Sequence, residues 1–257
     1  LEAQGITPLI GERPEELGMA AVEEEIEARL LADPLYADLF DKAFPQPWER
    51  INVSTIVRAI SAFQRTIVSF DSPYDRWKHA GDDTAISRAA RRGADLFFSA
   101  RLNCAACHGG PNFNGAIMHA DQPLAGTPFH NTGLYNLDGA GAYPEAAPGL
   151  WQMTAKPEDI GRFRAPSLRN VALTAPYMHD GSIETLDEVL DHCAAGGRTI
   201  ATGPNAGVGA DSPLRSDLIT GFELSPRDRA DLIAFLESLT DETLLQNPAY
   251  ADPWTQK

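Results

Sequence analysis

Two thiols and an imidazole stand together in the run Cys104-Ala105-Ala106-Cys107-His108. A Cys-x-x-Cys-His spacing supplies two thiols to add across the vinyl groups of a haem, and a histidine placed to ligate the iron. Two other chemistries use paired cysteines. A zinc site needs a second pair of Cys or His ligands at similar spacing, and the one further cysteine, Cys193, makes no second pair. A thioredoxin-like dithiol belongs to a βαβ context, and strand signals are weak along the whole chain. The run therefore predicts one covalently bound haem c, with His108 as the proximal ligand. That attachment takes place outside the cytoplasm, so the predicted compartment is the periplasm.

The chain that positions these groups has 257 residues, 43% of them hydrophobic, enough for a substantial core. It carries 21 Lys+Arg against 36 Asp+Glu, a net charge of −15, which argues against nucleic acid as a partner because phosphate binding needs a basic face. No apolar run approaches the roughly 20 residues of a membrane-spanning helix, so the chain is not expected to span a membrane. The first residue is Leu1, and the sequence reads as though it starts within a longer protein.

Helical periodicity dominates. Val22, Ile26 and Leu30 recur among acidic residues, and Asp33-Pro34 starts a short helix carrying Leu39, Phe40 and Phe44. Ile56, Ile60, Phe63 and Ile67 form a third apolar stripe, with Asn52 or Ser54 as its N-cap, and Ser72-Pro73-Tyr74 reads as the closing turn. A second unit opens near Gly81, with a helix over about 85–99 in which Gly93 reads as a contact glycine, running straight into the haem motif. Residues 109–165 are rich in Gly, Pro, Asn and Asp without a period, a long loop suited to wrapping a haem. Helices follow over 185–195, stopped by Gly196-Gly197, and from Ser225-Pro226 through Leu239. The predicted class is mainly α, with residues 1–80 and 81–257 as its two parts.

The Gly-x-x-Leu-Phe helix leading into Cys-x-x-Cys-His, with a closing amphipathic helix, resembles the cytochrome c fold. Two longer strings sharpen this. Phe163-Arg164-Ala165-Pro166-Ser167-Leu168-Arg169-Asn170 and Leu173-Thr174-Ala175-Pro176-Tyr177-Met178-His179-Asp180-Gly181 resemble the signature of the di-haem cytochrome c peroxidase/MauG superfamily. Pro128-Phe129-His130-Asn131-Thr132-Gly133-Leu134 and Ser72-Pro73-Tyr74-Asp75-Arg76 resemble its MauG and MbnH-like branches most. The resemblance covers essentially the whole chain. It implies a cytochrome c-like haem domain over 81–257 with long irregular loops, preceded over 1–80 by the helical remainder of an N-terminal haem domain. It also implies a second haem in the intact protein, attached upstream of Leu1 or on a separate chain.

The resemblance further implies a periplasmic di-haem oxidoreductase that uses hydrogen peroxide to oxidise a partner protein. The alternatives are a cytochrome c peroxidase, drawing electrons from small redox proteins, and a mono-haem electron-transfer cytochrome. Cys193, thirteen residues after Asp180, stands where peroxidases carry a Met and MauG a Tyr as distal iron ligand. A thiolate there would be a strong anionic donor; an inert buried thiol, a disulfide to an absent segment, or ligation by Met178 are the competing readings. Thr174 and Pro176 match positions whose oxygens help bind calcium, and Gln4 and Glu16 match residues near the peroxide-reacting haem, as a candidate catalytic pair. Arg164 and Arg169 are candidates for haem propionate pairing, and His179 resembles a histidine beside the haem-binding core. Trp77 and Trp151 are packing residues or stations for electron transfer.

Overall fold

A computed structural model describes residues 1–11, 17–19, 22–46, 50–115 and 129–253. They form two compact units, residues 1–68 and 69–257. Both are mainly helical, as the periodicity predicts.

The first unit holds α1 (Glu2–Ile10), α2 (Glu23–Ala32), α3 (Pro34–Ala43) and α4 (Val53–Thr66). α4 is capped by Asn52, not Ser54. The Asn52 side chain accepts from the Thr55 N–H at 3.0 Å, and Thr55 Oγ1 accepts from the Asn52 N–H at 3.0 Å, a reciprocal cap. α4 lies against α1, where a side chain at Gly5 would meet Val57 at 3.2 Å. The buried face of α4 is therefore Thr55, Val57 and Ser61. The predicted stripe does not form the core of this unit: Ile60, Phe63 and Ile67 remain 39%, 49% and 46% exposed.

The second unit contains α5 (Pro73–His79), α6 (Arg88–Phe97), a 3₁₀ turn at Cys104–Ala106, β1 (Phe129–His130), α7 (Trp151–Thr154), β2 (Phe163–Arg164), α8 (Leu186–Ala195), β3 (Thr199–Ile200), β4 (Gly207–Val208), α9 (Pro226–Glu237) and α10 (Glu242–Leu245). β1 pairs antiparallel with β2, and β3 with β4. Ser72-Pro73, read from sequence as a turn, instead starts α5. Ser72 caps the Asp75 N–H, Asp75 returns the bond, and Pro73 takes the first helical position, where its missing N–H costs nothing.

α6 and α9 form the centre of this unit. A Cβ at Gly93 would lie 1.9 Å from the Asp231 carbonyl oxygen and 2.8 Å from Phe235 Cβ, so only glycine lets the helices meet so closely. Phe97, Leu102, Phe113, Leu232, Phe235 and Leu239 pack around this contact with Tyr74 from α5. Rings meet edge-on or tilted, Phe97–Phe235 at 5.0 Å and Tyr74–Phe113 at 5.4 Å. Each such fully buried side chain contributes about 1.5–3 kcal/mol. Leu134, Tyr135, Tyr143 and Ile183 make a second cluster. α8 opens on a Thr185/Glu188 reciprocal cap and stops at Gly196, whose φ of 71° is the left-handed conformation glycine favours.

Candidate haem-attachment site

The chain leaves α6, drops Leu102 into the core and turns through Asn103 at φ 55° into the Cys104–Ala106 turn. The Cys107 and His108 N–H groups both donate to the Cys104 carbonyl, at 3.3 and 2.9 Å. This winds the two cysteines and the histidine into one tight coil. His108 Nδ1 then lies 3.0 Å from the Phe113 carbonyl oxygen and 3.2 Å from that of Pro166. Two acceptors oblige Nδ1 to carry the proton, so the lone pair is on Nε2, the nitrogen left for a metal. Burial lowers the His108 pKa, opposed by the two carbonyls, which keeps the ring neutral at neutral pH. Burial likewise pushes the Cys104 thiol up to about 11 and raises Cys107.

These residues fit haem c. The two thiols are free, and the imidazole has its outer nitrogen fixed and its inner one available. Among the described residues no group of three or more His, Cys, Asp or Glu side chains converges as a metal site, so the cysteines lack further protein ligands for zinc.

Arg164, on β2 and two residues before Pro166, is exposed, and its guanidinium makes no hydrogen bond or ion pair with another described residue, leaving its fork available to a carboxylate. Arg169 differs in already having partners within the protein. Its guanidinium donates to both Asp75 oxygens, at 2.8 and 3.1 Å, and to the Pro111 carbonyl, at 3.0 and 2.6 Å. The pair is buried on both sides. Burial raises the Asp75 pKa, but the Arg169 and Ser72 hydrogen bonds outweigh it and hold the carboxyl below its ordinary value.

On α8, Cys193 lies in the last turn, in the electrostatic neighbourhood of Cys104 and Cys107, and burial pushes its thiol up to about 12. The protein alone therefore does not make it a thiolate; only a nearby cation would. Its neighbour His192, which carries no pairing signal in the sequence, is 5% exposed, and among the described residues neither ring nitrogen makes a well-formed hydrogen bond, the Thr132 backbone being the nearest partner. Burial lowers its pKa to about 4, helped by Arg198, with the Thr132 backbone acting the other way. His192 lines a pocket of about 320 Å³ with Ser182 and Arg198. Only its position beside Cys193 in a capped helix could have drawn attention to it.

The ring of His179 stacks on Phe163 at 3.7 Å, next to Arg164, and burial lowers its pKa against the pull of Asp180. Met178 adopts φ 71° and packs into the second cluster. Thr174 donates its hydroxyl to the Val171 carbonyl at 3.1 Å, and Pro176 lies two residues further on. Trp77 sits under Lys78 and Arg91, each 5.7 Å from its ring, while Trp151 is 41% exposed. Gln4 is exposed on α1; Glu16 and Pro128 lie outside the described residues. No described helix is long and apolar enough to cross a membrane.

Residues 1–84 match the sequence profile described as di-haem cytochrome c peroxidase, and residues 90–240 that of cytochrome c. The chain is 36% identical over 242 residues to the methylamine utilization protein MauG of Methylorubrum extorquens, covering 94% of this chain and 58% of that protein. It is 32% identical over 222 residues to the cytochrome c551 peroxidase of Pseudomonas aeruginosa, covering 86% of this chain and 54% of that one. The chain thus spans little more than half the length of these relatives. Among solved structures, a MauG-like protein associated with microbial copper homeostasis superposes with a TM-score of 0.93 at 49% identity, over 99% of this chain and 72% of that chain.

Proposed function

Since the chain belongs to the di-haem cytochrome c peroxidase/MauG family, we propose that it is the second, haem c-carrying part of a periplasmic oxidoreductase that uses hydrogen peroxide to oxidise a partner protein. The observation that carries this reading is the His108 imidazole held by two carbonyls on a Cys-x-x-Cys-His turn. Haem c, when attached, supplies a one-electron redox centre. Cys104 and Cys107 hold it through thioethers, their sulfurs adding to two vinyl groups. His108 offers Nε2 to the iron while its Nδ1–H donates to the Phe113 and Pro166 carbonyls. Arg164 would pair with a propionate, His179 would lie beside the haem, and Cys193 would offer its sulfur to the iron from α8. Thr174 and Pro176 contribute oxygens to a calcium ion. Gln4 and Glu16 act at the peroxide-reacting haem of the intact protein, with Glu16 moving the proton.

The reaction takes one hydrogen peroxide, two protons and two electrons to two waters, the electrons coming from side chains of the partner protein. Identity of 49% to a MauG-like protein favours this branch, as does a cysteine at residue 193, which would become an anionic donor only on binding the iron. The second reading, a peroxidase served by small redox proteins, draws support from the 32% identity to the Pseudomonas aeruginosa peroxidase. The test is made on the full-length, haem-loaded protein. A pyridine haemochrome assay is expected to count two haems, and hydrogen peroxide is expected to oxidise a reduced small c-type cytochrome only slowly. Fast turnover of that cytochrome would select the peroxidase reading. A single haem in the full-length protein would reduce it to an electron carrier.

A further inference from the structure

The structure assigns Ser167 and Arg169 as the residues that position His108 by clamping together its two hydrogen-bond acceptors. Those acceptors, the Phe113 and Pro166 carbonyls, come from stretches of chain more than fifty residues apart. Among the described residues no backbone hydrogen bond joins residues 109–115 to residues 165–169. Two side chains do so instead. Ser167 Oγ donates to the Asn112 carbonyl at 2.7 Å, and Arg169 Nε and Nη2 donate to the Pro111 carbonyl at 3.0 and 2.6 Å. Each link lies one to three residues from an acceptor of His108.

The clamp is itself anchored. The Arg169 N–H donates to Ser167 Oγ at 3.2 Å, which turns the Ser167 proton outward to Asn112. The guanidinium is fixed by Asp75, which accepts from Ser72 Oγ at 2.7 Å, and it lies over the Phe70 ring at 4.0 Å. Phe113, whose carbonyl is at stake, has φ 52°, unusual for a bulky residue, with its ring buried in the core. Its carbonyl direction thus depends on the loop that Ser167 and Arg169 hold.

The consequence is electronic. A firmly held carbonyl draws on the Nδ1 proton and makes the imidazole a more electron-rich ligand, which lowers the iron's reduction potential. Loosening either link weakens that bond and raises the potential. The inference rests on His108 being the iron ligand.

The test is a potentiometric titration with electron paramagnetic resonance on the full-length, haem-loaded protein, following the haem at Cys104 and Cys107. At the wild-type midpoint, Ser167→Ala is expected to leave clearly more than half of this haem reduced and to shift its ferric g-values. Ser167→Thr, which keeps the hydroxyl, is expected to restore both. Arg169→Lys is expected to move them in the same direction as Ser167→Ala. A folded Ser167→Ala protein that is half reduced at that potential, with wild-type g-values, would overturn the positioning role. His108→Ala separates the two failures: an unchanged spectrum there would remove the ligand reading itself, whereas a changed spectrum beside a silent Ser167→Ala would remove only the clamp.

Discussion

The His108 side and the α8 side of the second unit are built on opposite principles. Around His108 the positioning groups are engaged: the imidazole by two carbonyls, Arg169 by Asp75 and Pro111, and Ser167 by the Asn112 carbonyl, while the Asn112 side-chain oxygen has no partner among the described residues. On α8, Cys193 is a half-buried thiol whose pKa its surroundings raise, and His192 is a buried imidazole close to the Thr132 backbone, with no well-formed hydrogen bond on either nitrogen among the described residues. Burying a polar group without a partner costs about 1–3 kcal/mol. The first side is therefore tied down by the polypeptide through His108, Arg169 and Ser167, whereas the second places a thiol and an imidazole that the described residues engage little. This division suits a centre with one ligand set by the protein and another set by the bound iron.

The largest expected effect breaks the organised side outright. Cys104→Ser combined with Cys107→Ser is expected to abolish haem that resists acid–acetone extraction, measured against wild type from the same expression. Retained, non-extractable haem would contradict the attachment.

Next in size is the buried ion pair. Arg169→Ala leaves the Asp75 carboxylate buried without its partner and is expected to cost about 3–5 kcal/mol in chemical denaturation. The pH dependence follows from the lowered Asp75 pKa. Its contribution is complete above the ordinary carboxylate value of about 4 and is lost as pH falls through the lower folded value. Denaturation curves from pH 5 downward should show this loss in wild type and not in Asp75→Asn. Equal slopes in the two proteins would deny Asp75 that role.

Cys193→Ala sharpens the other side of the comparison. With haem bound, it is expected to abolish the red-shifted, thiolate-type low-spin ferric bands, while stability without haem changes by about 1 kcal/mol or less. Unchanged bands would leave Cys193 a half-buried thiol and the iron with another ligand. The smallest effect is expected from His192→Leu. Replacing a weakly engaged buried imidazole with an apolar group should be neutral or stabilising by up to about 1 kcal/mol in the haem-free chain. A loss of several kcal/mol would mean the ring already has a firm partner.

What was legible in the sequence was local. Cys104 to His108 encode their chemistry by spacing, and the ends of α8 and α9 are announced by Thr185, Gly196 and Ser225-Pro226. Gly93 was readable as a contact because small residues recur on its helix. What the sequence does not reveal is tertiary partnership. An arginine fork matches a propionate or an aspartate equally well, so nothing near Arg169 in sequence reveals Asp75, ninety-four residues away. Ser72-Pro73 begins a turn or a helix alike, and Asp75 decides between them by returning the cap. The Ile60-Phe63-Ile67 stripe has correct helical spacing, yet α1 covers the opposite choice of residues. His192 carries no signal until its burial is known.

The central claim is that this chain holds haem c on the Cys104–His108 turn, with His108 oriented by the protein. It is tested most directly by proteolysis and mass spectrometry of the mature, haem-loaded protein. The peptide containing Cys104, Cys107 and His108 is expected to carry the added mass of one intact haem, bound through both cysteines. Recovery of that peptide without haem, as free thiols or as a Cys104–Cys107 disulfide, from protein expressed with its haem-attachment machinery would contradict it.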